Sequence, residues 1–353
     1  MNDPLAGLDE AGRQTVERLH HLLLRADSRL PDELVSTARA WLAEEMVRDV
    51  AEAIVFSCLS SDVPLAPADA ELLGAVLRDT GADAAPVAGL ATSDEDDVPP
   101  YRLAPVGPDV LDPHGAEVPH TMDLTDTAYT GPGGPDDIDR AAVAAVADQI
   151  GAHALWRSWR YPAPRDQWPR ATRGYLVQLA RGSEQTTPAR TAARIQAALV
   201  AAGETSPLVR VFTDDVALPA FHRIALLFSA LLWTAETPPE IHVAADCPAT
   251  PARLDEPERS RVRAYLDGGT PLLVSTEMAG DRVDPGLGPV VPATLRSDGE
   301  WIWSDAVGYY LDRYRLAPDD GLLTHIRRRG YRPTGIDRVA LHRALAAVPS
   351  ALI

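Results

Sequence analysis

Five acidic residues, Glu184, Asp214, Asp215, Asp246 and Glu277, stand at or near the ends of runs that read as β-strands. In a parallel sheet the C-terminal strand ends gather on one edge, where open α/β sheets bind their ligands. Carboxylates converging there could hold Mg2+ for phosphoryl transfer or hydrolysis. The same residues also suit positions at or before the first turn of a following helix, where acidic side chains are stabilising without a metal. Asp214, Asp215, Asp246 and Glu277 are therefore the catalytic candidates of an enzyme reading, and no second signature accompanies them. GxGxxG after a strand, a GxSxG elbow, HExxH and CxxC are all absent. The chain has no lysine, all 33 basic residues being arginine. That excludes Schiff-base and P-loop lysine chemistry, and tagging on a side-chain amine.

His114 and His120, in the loop segment PHGAEVPH with Asp112 and Glu117 beside them, are the metal-ligand candidates. Their spacing matches no established zinc pattern, so no cofactor is implied. His242 and Cys247 fall around the end of one strand, which does not by itself make a nucleophile–base pair. His20 and His21 lie on an amphipathic helix and read as boundary and surface positions. Cys58 and Cys247 are too few for a disulfide framework and suit a reducing cytoplasm.

A different chemistry is written between residues 155 and 173, where Trp156, Arg157, Trp159, Arg160, Trp168 and Arg170 fall close together. Tryptophan and arginine dominate protein-binding hot spots, the first by rigid area and the second by bidentate hydrogen bonds. The same pairing can stack single-stranded nucleic acid. It can also fill a core, with tryptophans inside and arginines lying over them. Charge separates these readings. Residues 1–150 hold 29 Asp+Glu and 9 Arg, a net of −20, while residues 151–353 hold 22 and 24, a net of +2; together they give the overall −18. An acidic front portion repels phosphates and attracts a basic protein. The expectation is a protein partner of basic character, without nucleic acid.

These residues need elements to hold them. Leu8–Arg25 and the stripe Leu34, Ala38, Leu42, Met46, Val50, Ile54 read as helices, the stripe dividing before Ser60, and Pro67 opens another. Residues 91–137 are rich in proline, glycine and acid and read as linker or surface loop. From residue 138 the pattern alternates. A helix over Ile138–Ile150 is followed by strands at Gly174–Ala180, Leu208–Thr213, Glu240–Ala245 and Pro271–Thr276. Helices at Thr187–Gly203, Pro219–Ala235 and Asp255–Gly268 lie between them. Three helices close the chain, Asp305–Tyr314, Pro318–Arg329 and Asp337–Val348. The expected class is α/β or α+β: an acidic helical region (1–90), a linker (91–137), and a domain (138–353) with a mixed, mostly parallel sheet, crossover helices and a C-terminal three-helix segment. The first residues lack the basic and apolar regions of a signal peptide, and the most apolar run, Ile224–Ala235, is too short to span a membrane.

The segment Ser297-Asp298-Gly299-Glu300-Trp301-Ile302-Trp303, followed by Asp305-Ala306-Val307-Gly308-Tyr309-Tyr310-Leu311 and then His325-Ile326-Arg327, resembles the end of a group of uncharacterised actinobacterial proteins. Ala154–Trp159 and Ala230–Trp233 share that resemblance, which covers residue 50 onward. Such proteins are similar in style to immunity proteins of polymorphic toxin systems. The resemblance implies non-catalytic masking of a protein partner and carries over no catalytic residue. No pattern in the sequence specifies an oligomeric state.

Overall fold

Helical spacing of apolar residues and clear end signals build the front of the chain. The computed structural model describes residues 8–94, 101–125, 129–162, 171–184, 187–247 and 253–348. Helix α1 (Glu10–Ala26) begins at Asp9, whose carboxylate caps the Gly12 N–H, and buries Val16, Leu19, Leu22 and Leu23 along one stripe. The long stripe after Pro31 divides as expected, into α2 (Asp32–Ala43) and α3 (Val47–Ser61). Between them Glu45 takes a left-handed conformation, φ 63°. Helix α4 (Pro67–Asp79) starts with proline at its first position, where no intrahelical N–H is needed. The four helices share one core, which also takes in Ala189 and Leu208 from later in the chain.

The chain divides into two compact units, Met1–Glu236 and Thr237–Ile353. Residues 91–137, read as a linker, lie inside the first of them. There they supply β1 (Arg102–Ala104), α5 (Pro108–His114) and β2 (Met122–Asp123). The unit continues through α6 (Asp137–Ala147), β3 (Ala152–Tyr161), β4 (Thr172–Leu179), α7 (Thr187–Ala201), β5 (Leu208–Thr213), α8 (Ala220–Leu227) and β6 (Ala230–Thr234). The sheet runs in the order β2-β6-β3-β4-β5, with β1 also on β3. It is mixed: β4–β5 and β2–β6 are parallel, while β3 is antiparallel to β4, β6 and β1. The parallel share is therefore smaller than strand–helix alternation suggested, because the first part of the Trp/Arg stretch forms the central strand β3, which pairs antiparallel with both β4 and β6.

One face of the sheet packs Leu155, Tyr175, Val177, Val209 and Val211 against Ala142 and Val146 of α6 and Ala192, Ile195 and Leu199 of α7. The expected helix Pro219–Ala235 stops at Leu227, and Ala230–Thr234 is strand β6. A short continuous apolar run is consistent with either state, so periodicity could not separate them.

The second unit holds β7 (His242–Val243), α9 (Glu256–Asp267), β8 (Thr270–Leu273), β9 (Met278–Gly280), β10 (Pro289–Pro292), β11 (Leu295–Ser297) and β12 (Trp301–Ser304). The chain then closes with α10 (Asp305–Tyr314), α11 (Asp320–Arg328) and α12 (Arg338–Ala346). Its sheet order is β7-β12-β11-β8, and β9 and β10 form a separate two-stranded ribbon. Asp255, Asp319 and Asp337 cap α9, α11 and α12 through their side chains. The architecture is α+β: an N-terminal helical region, a central sheet with helices, and a C-terminal helical segment. No helix among the described residues is long and apolar enough to cross a membrane.

Candidate functional site

Alternation along β3 sends Arg157 and Trp159 to one face and Trp156, Ser158 and Arg160 to the other. Trp156 is fully buried and stacks on Phe212, ring centroids 6.3 Å apart. Arg157 is buried, ion-paired with Asp139, and donates to Pro105 O (3.0 Å) and Gly133 O (2.8 Å). Asp139 also accepts from Tyr175 Oη (2.7 Å). Trp159 lies under the Arg173 guanidinium at 4.8 Å. Arg160 crosses to Asp32, 2.5 Å away, and covers the Tyr101 ring at 4.5 Å. These residues were expected to form a partner-binding hot spot, and that expectation is corrected at Trp156, Arg157 and Arg160. In a central strand covered on both faces, their side chains turn inward: Trp156 stacks on Phe212, Arg157 pairs with buried Asp139 and Arg160 with half-buried Asp32. Trp168 and Arg170 lie outside the described residues.

The strand-end carboxylates are dispersed. Asp214 and Asp215 follow β5 on the C-terminal edge of the parallel β4–β5 pair, as expected. There Asp214 accepts from Gln178 Nε2 (2.7 Å) and Asp215 from the Gly182 N–H (3.0 Å). Asp246 and Glu277 belong to the second unit; Asp246 accepts from Ser304 Oγ at 2.5 Å and Glu277 is exposed. Glu184 faces Arg190 at 3.5 Å. His114 is exposed beside Glu117, and His120 packs edge-on against Phe228. Among the described residues no group of three or more His, Cys, Asp or Glu is placed to hold a metal ion. Burial raises both thiols, Cys58 to about 11 and Cys247 in the same direction, so neither is an activated nucleophile.

Three features were not singled out from the sequence. The first is a buried charge network at the end of α1. Asp27 receives Arg210 Nε at 2.6 Å and Arg39 Nη2 at 3.1 Å, with His222 Nε2 3.4 Å away. Asp27 and Arg39 have no exposed side-chain surface, so two guanidinium ions share one carboxylate inside the protein. Burial would raise the Asp27 carboxyl, but Arg210, His222 and Arg39 hold it far below its ordinary value. Burial pushes His222 down to about 4 despite Asp27, and it donates through Nε2 to Leu24 O at 2.7 Å.

The second feature is a cavity of about 260 Å³ in the first unit, bounded by α1, the end of β5 and the start of α8. His20, His21, Arg25, Arg29, Asp69 and Arg223 supply its polar wall, and Leu24, Phe212, Val216 and Leu218 are among its apolar lining. Spacing along α1 brings His21 and Arg25 together one turn apart. Arg25 is fixed by a two-pronged ion pair with buried Asp69, Nε to Oδ2 at 2.9 Å and Nη2 to Oδ1 at 2.5 Å. Burial lowers His20 to about 3 and pushes His21 in the same direction. Both imidazoles are therefore neutral near pH 7.

The third feature occupies the second unit. Buried Asp298 accepts from Tyr265 Oη, from His325 Nε2 (2.6 Å), and from the N–H groups of Glu300 (3.0 Å) and Trp301 (2.9 Å). Arg328 donates to His325 Nδ1 at 3.0 Å, which leaves the imidazole proton on Nε2. In the same unit the β9–β10 ribbon is rooted by Asp281. Burial would raise that carboxyl, but donors from Tyr314 (2.6 Å), Asp284 N, Tyr309 (2.8 Å) and Val283 N hold it down to about 2. Val291 of the ribbon is buried with Tyr310 and Ala306. The rest of the segment is turned outward: Val274, Met278, Val283, Leu287 and Val290 are all exposed, Val274 at 75 % and Met278 at 52 %.

No family model, curated protein or solved structure matches this chain. Function is therefore argued from its own side chains.

Of the three features, the ribbon left the clearest trace in the sequence. Residues 274–290 mix apolar side chains with three glycines and two prolines and show no buried-strand alternation. The Asp27 network left almost none, because Arg210 and His222 stand 183 and 195 positions from Asp27.

Proposed function

We propose that this chain is a non-catalytic recognition protein that docks a net-basic protein partner, in the manner of an immunity-type protein masking its target. The observation that supports this most directly is the apolar crest of the ribbon. Five of the twelve exposed large apolar side chains among the described residues fall within residues 274–290. Exposed apolar side chains concentrated on one firmly rooted segment favour a protein contact. Charge supports the sign of the partner. Residues 1–236 hold 35 Asp+Glu and 19 Arg, a net of −16, against −2 (16 and 14) for residues 237–353. A surface so acidic accelerates encounter with a basic protein and loses that advantage as salt is added.

The test is co-expression with the protein encoded beside this chain, followed by size-exclusion chromatography and association kinetics at rising ionic strength. A complex is expected whose association rate falls at least tenfold between 20 and 300 mM salt. The double substitution Met278→Asp and Val290→Asp, both at exposed positions, is expected to weaken it at least tenfold without changing the melting temperature. Absence of a complex at low salt, or a complex indifferent to the double substitution, would remove the proposal.

A further inference from the structure

The cavity beside α1 is separate from the ribbon, and its chemistry does not depend on a protein partner. Its walls divide by character. Leu24, Phe212, Val216 and Leu218 offer an apolar body, while Arg25, Arg29 and Arg223 bring three guanidinium groups to the lining. Against them stand Asp69, already engaged by Arg25, and Asp94, so the formal charge of the lining is 3 − 2 = +1. That sign is opposite to the −16 of the unit around it. Each guanidinium is anchored by part of its donor set: Arg25 on Asp69, Arg29 on Pro64 O (2.9 Å) and Arg223 on Leu218 O (2.9 Å). A guanidinium carries five N–H donors, so each keeps others to offer.

The volume of about 260 Å³ lies just below the range of roughly 300–1,000 Å³ typical of small-molecule sites.

We propose that this cavity binds a small organic anion. The arginines would take its acidic group and the apolar wall its body. The experiment is calorimetric titration of the full chain at pH 7.5 with benzoate, mandelate, 3-hydroxybenzoate and phenyl phosphate. Benzyl alcohol tests the lost charge and benzylamine the reversed charge. At least one of the acids is expected to bind saturably. Benzyl alcohol and benzylamine are expected to give no saturable heat. Arg223→Gln, and Val216→Trp to fill the space from an exposed position, should each weaken binding at least tenfold while the melting temperature of the free protein stays within 2 °C. Failure of every anion to bind, benzylamine binding as tightly as the acids, or binding unchanged in both variants would overturn the site. None of these results bears on the ribbon, so the two proposals fail separately.

Discussion

Asp27 in the first unit and Asp298 in the second are both withdrawn from solvent, yet their charges are balanced by different chemistry. Asp27 lies between the cations Arg210 and Arg39, with neutral His222 alongside. Asp298 is held by a phenol, an imidazole N–H and two backbone amides, with no cation in direct contact. Local sequence supplies half of the second arrangement: Asp298 turns back on the amides two and three residues ahead, as aspartates do in turns, while Tyr265 and His325 reach it from 33 and 27 positions away. The first is assembled only by tertiary structure. Its energetics are also less forgiving, because removing the anion strands two buried guanidinium ions, whereas removing the charge at Asp298 strands only neutral donors.

That contrast sets the largest expected effect. Asp27→Asn keeps the shape of the side chain but leaves Arg39 and Arg210 buried without a counter-charge. A loss of about 3–5 kcal/mol is expected, in the range measured when one partner of a buried ion pair is removed. Hydrogen exchange of the full chain should show it as faster exchange of the β5 amides, with β12 unchanged. An Asn variant as protected as the native protein would mean that the arginines are balanced elsewhere. Asp298→Asn, measured the same way on the β12 amides, is expected to cost less, about 1.5–3 kcal/mol, as for hydrogen bonds to a charged group.

The two hubs should also part company in acid. His20 and His222 are buried neutral, with folded values of about 3 and 4 against an ordinary 6.5. As pH falls through 6.5 the unfolded chain takes up protons that the folded chain refuses. The first unit therefore loses stability on acidification, beginning near pH 6.5. By pH 5 each histidine contributes a loss of about 2 kcal/mol, from 1.36 kcal/mol per unit over 1.5 units. Asp298 is held below its ordinary 3.8, so its contribution is complete above that value and is lost only as pH falls beneath it. Between pH 7 and 5, exchange corrected for its intrinsic rate should accelerate in β5 and not in β12. Equal acceleration in both units would contradict the assignment of the two neutral imidazoles.

How much of this was legible in the sequence depends on how far apart the interacting residues stand. The end signals of α9, α11 and α12, the division of α2 from α3, and strands β4 and β5 follow from local patterns and were read correctly to within a few residues. The Trp/Arg stretch was recognised as unusual, but composition could not say whether it faced solvent or core. The answer depends on β3 being covered on both faces, and the carboxylates that receive Arg157 and Arg160 lie 18 and 128 residues away. The strand-end aspartates illustrate the reverse: Asp214 and Asp215 are on the expected edge, yet a shared edge is not convergence. His20 and His21 read as boundary and surface positions of an amphipathic helix; His20 is instead buried, and their place in a cavity appears only once β5 and α8 are packed against α1.

The smallest effect sharpens the comparison most. Gly174 of β4 sits beneath the Arg210 guanidinium, so a Cβ there would run into Arg210 Nη1, and a Cβ at Gly269 would run into the buried ring of Trp303. Neither glycine has a positive φ, so alanine strains the chain only through these contacts. Each substitution is expected to cost about 1–2 kcal/mol as local overpacking. They differ in what they disturb. Gly174→Ala displaces the guanidinium that Asp27 neutralises, so once Asp27→Asn has already broken that pair, the alanine should cost less than it does alone. Gly269→Ala presses on a ring in the other unit and should add to Asp27→Asn within the roughly 0.3–0.5 kcal/mol of independent sites. A double-mutant cycle on β5 protection measures both. A coupling near 1 kcal/mol for Gly174 and none for Gly269 is the expected pair of values. Additivity at Gly174 would mean that Arg210 holds its place without Asp27, and the hub would then be a packing arrangement and not an electrostatic one.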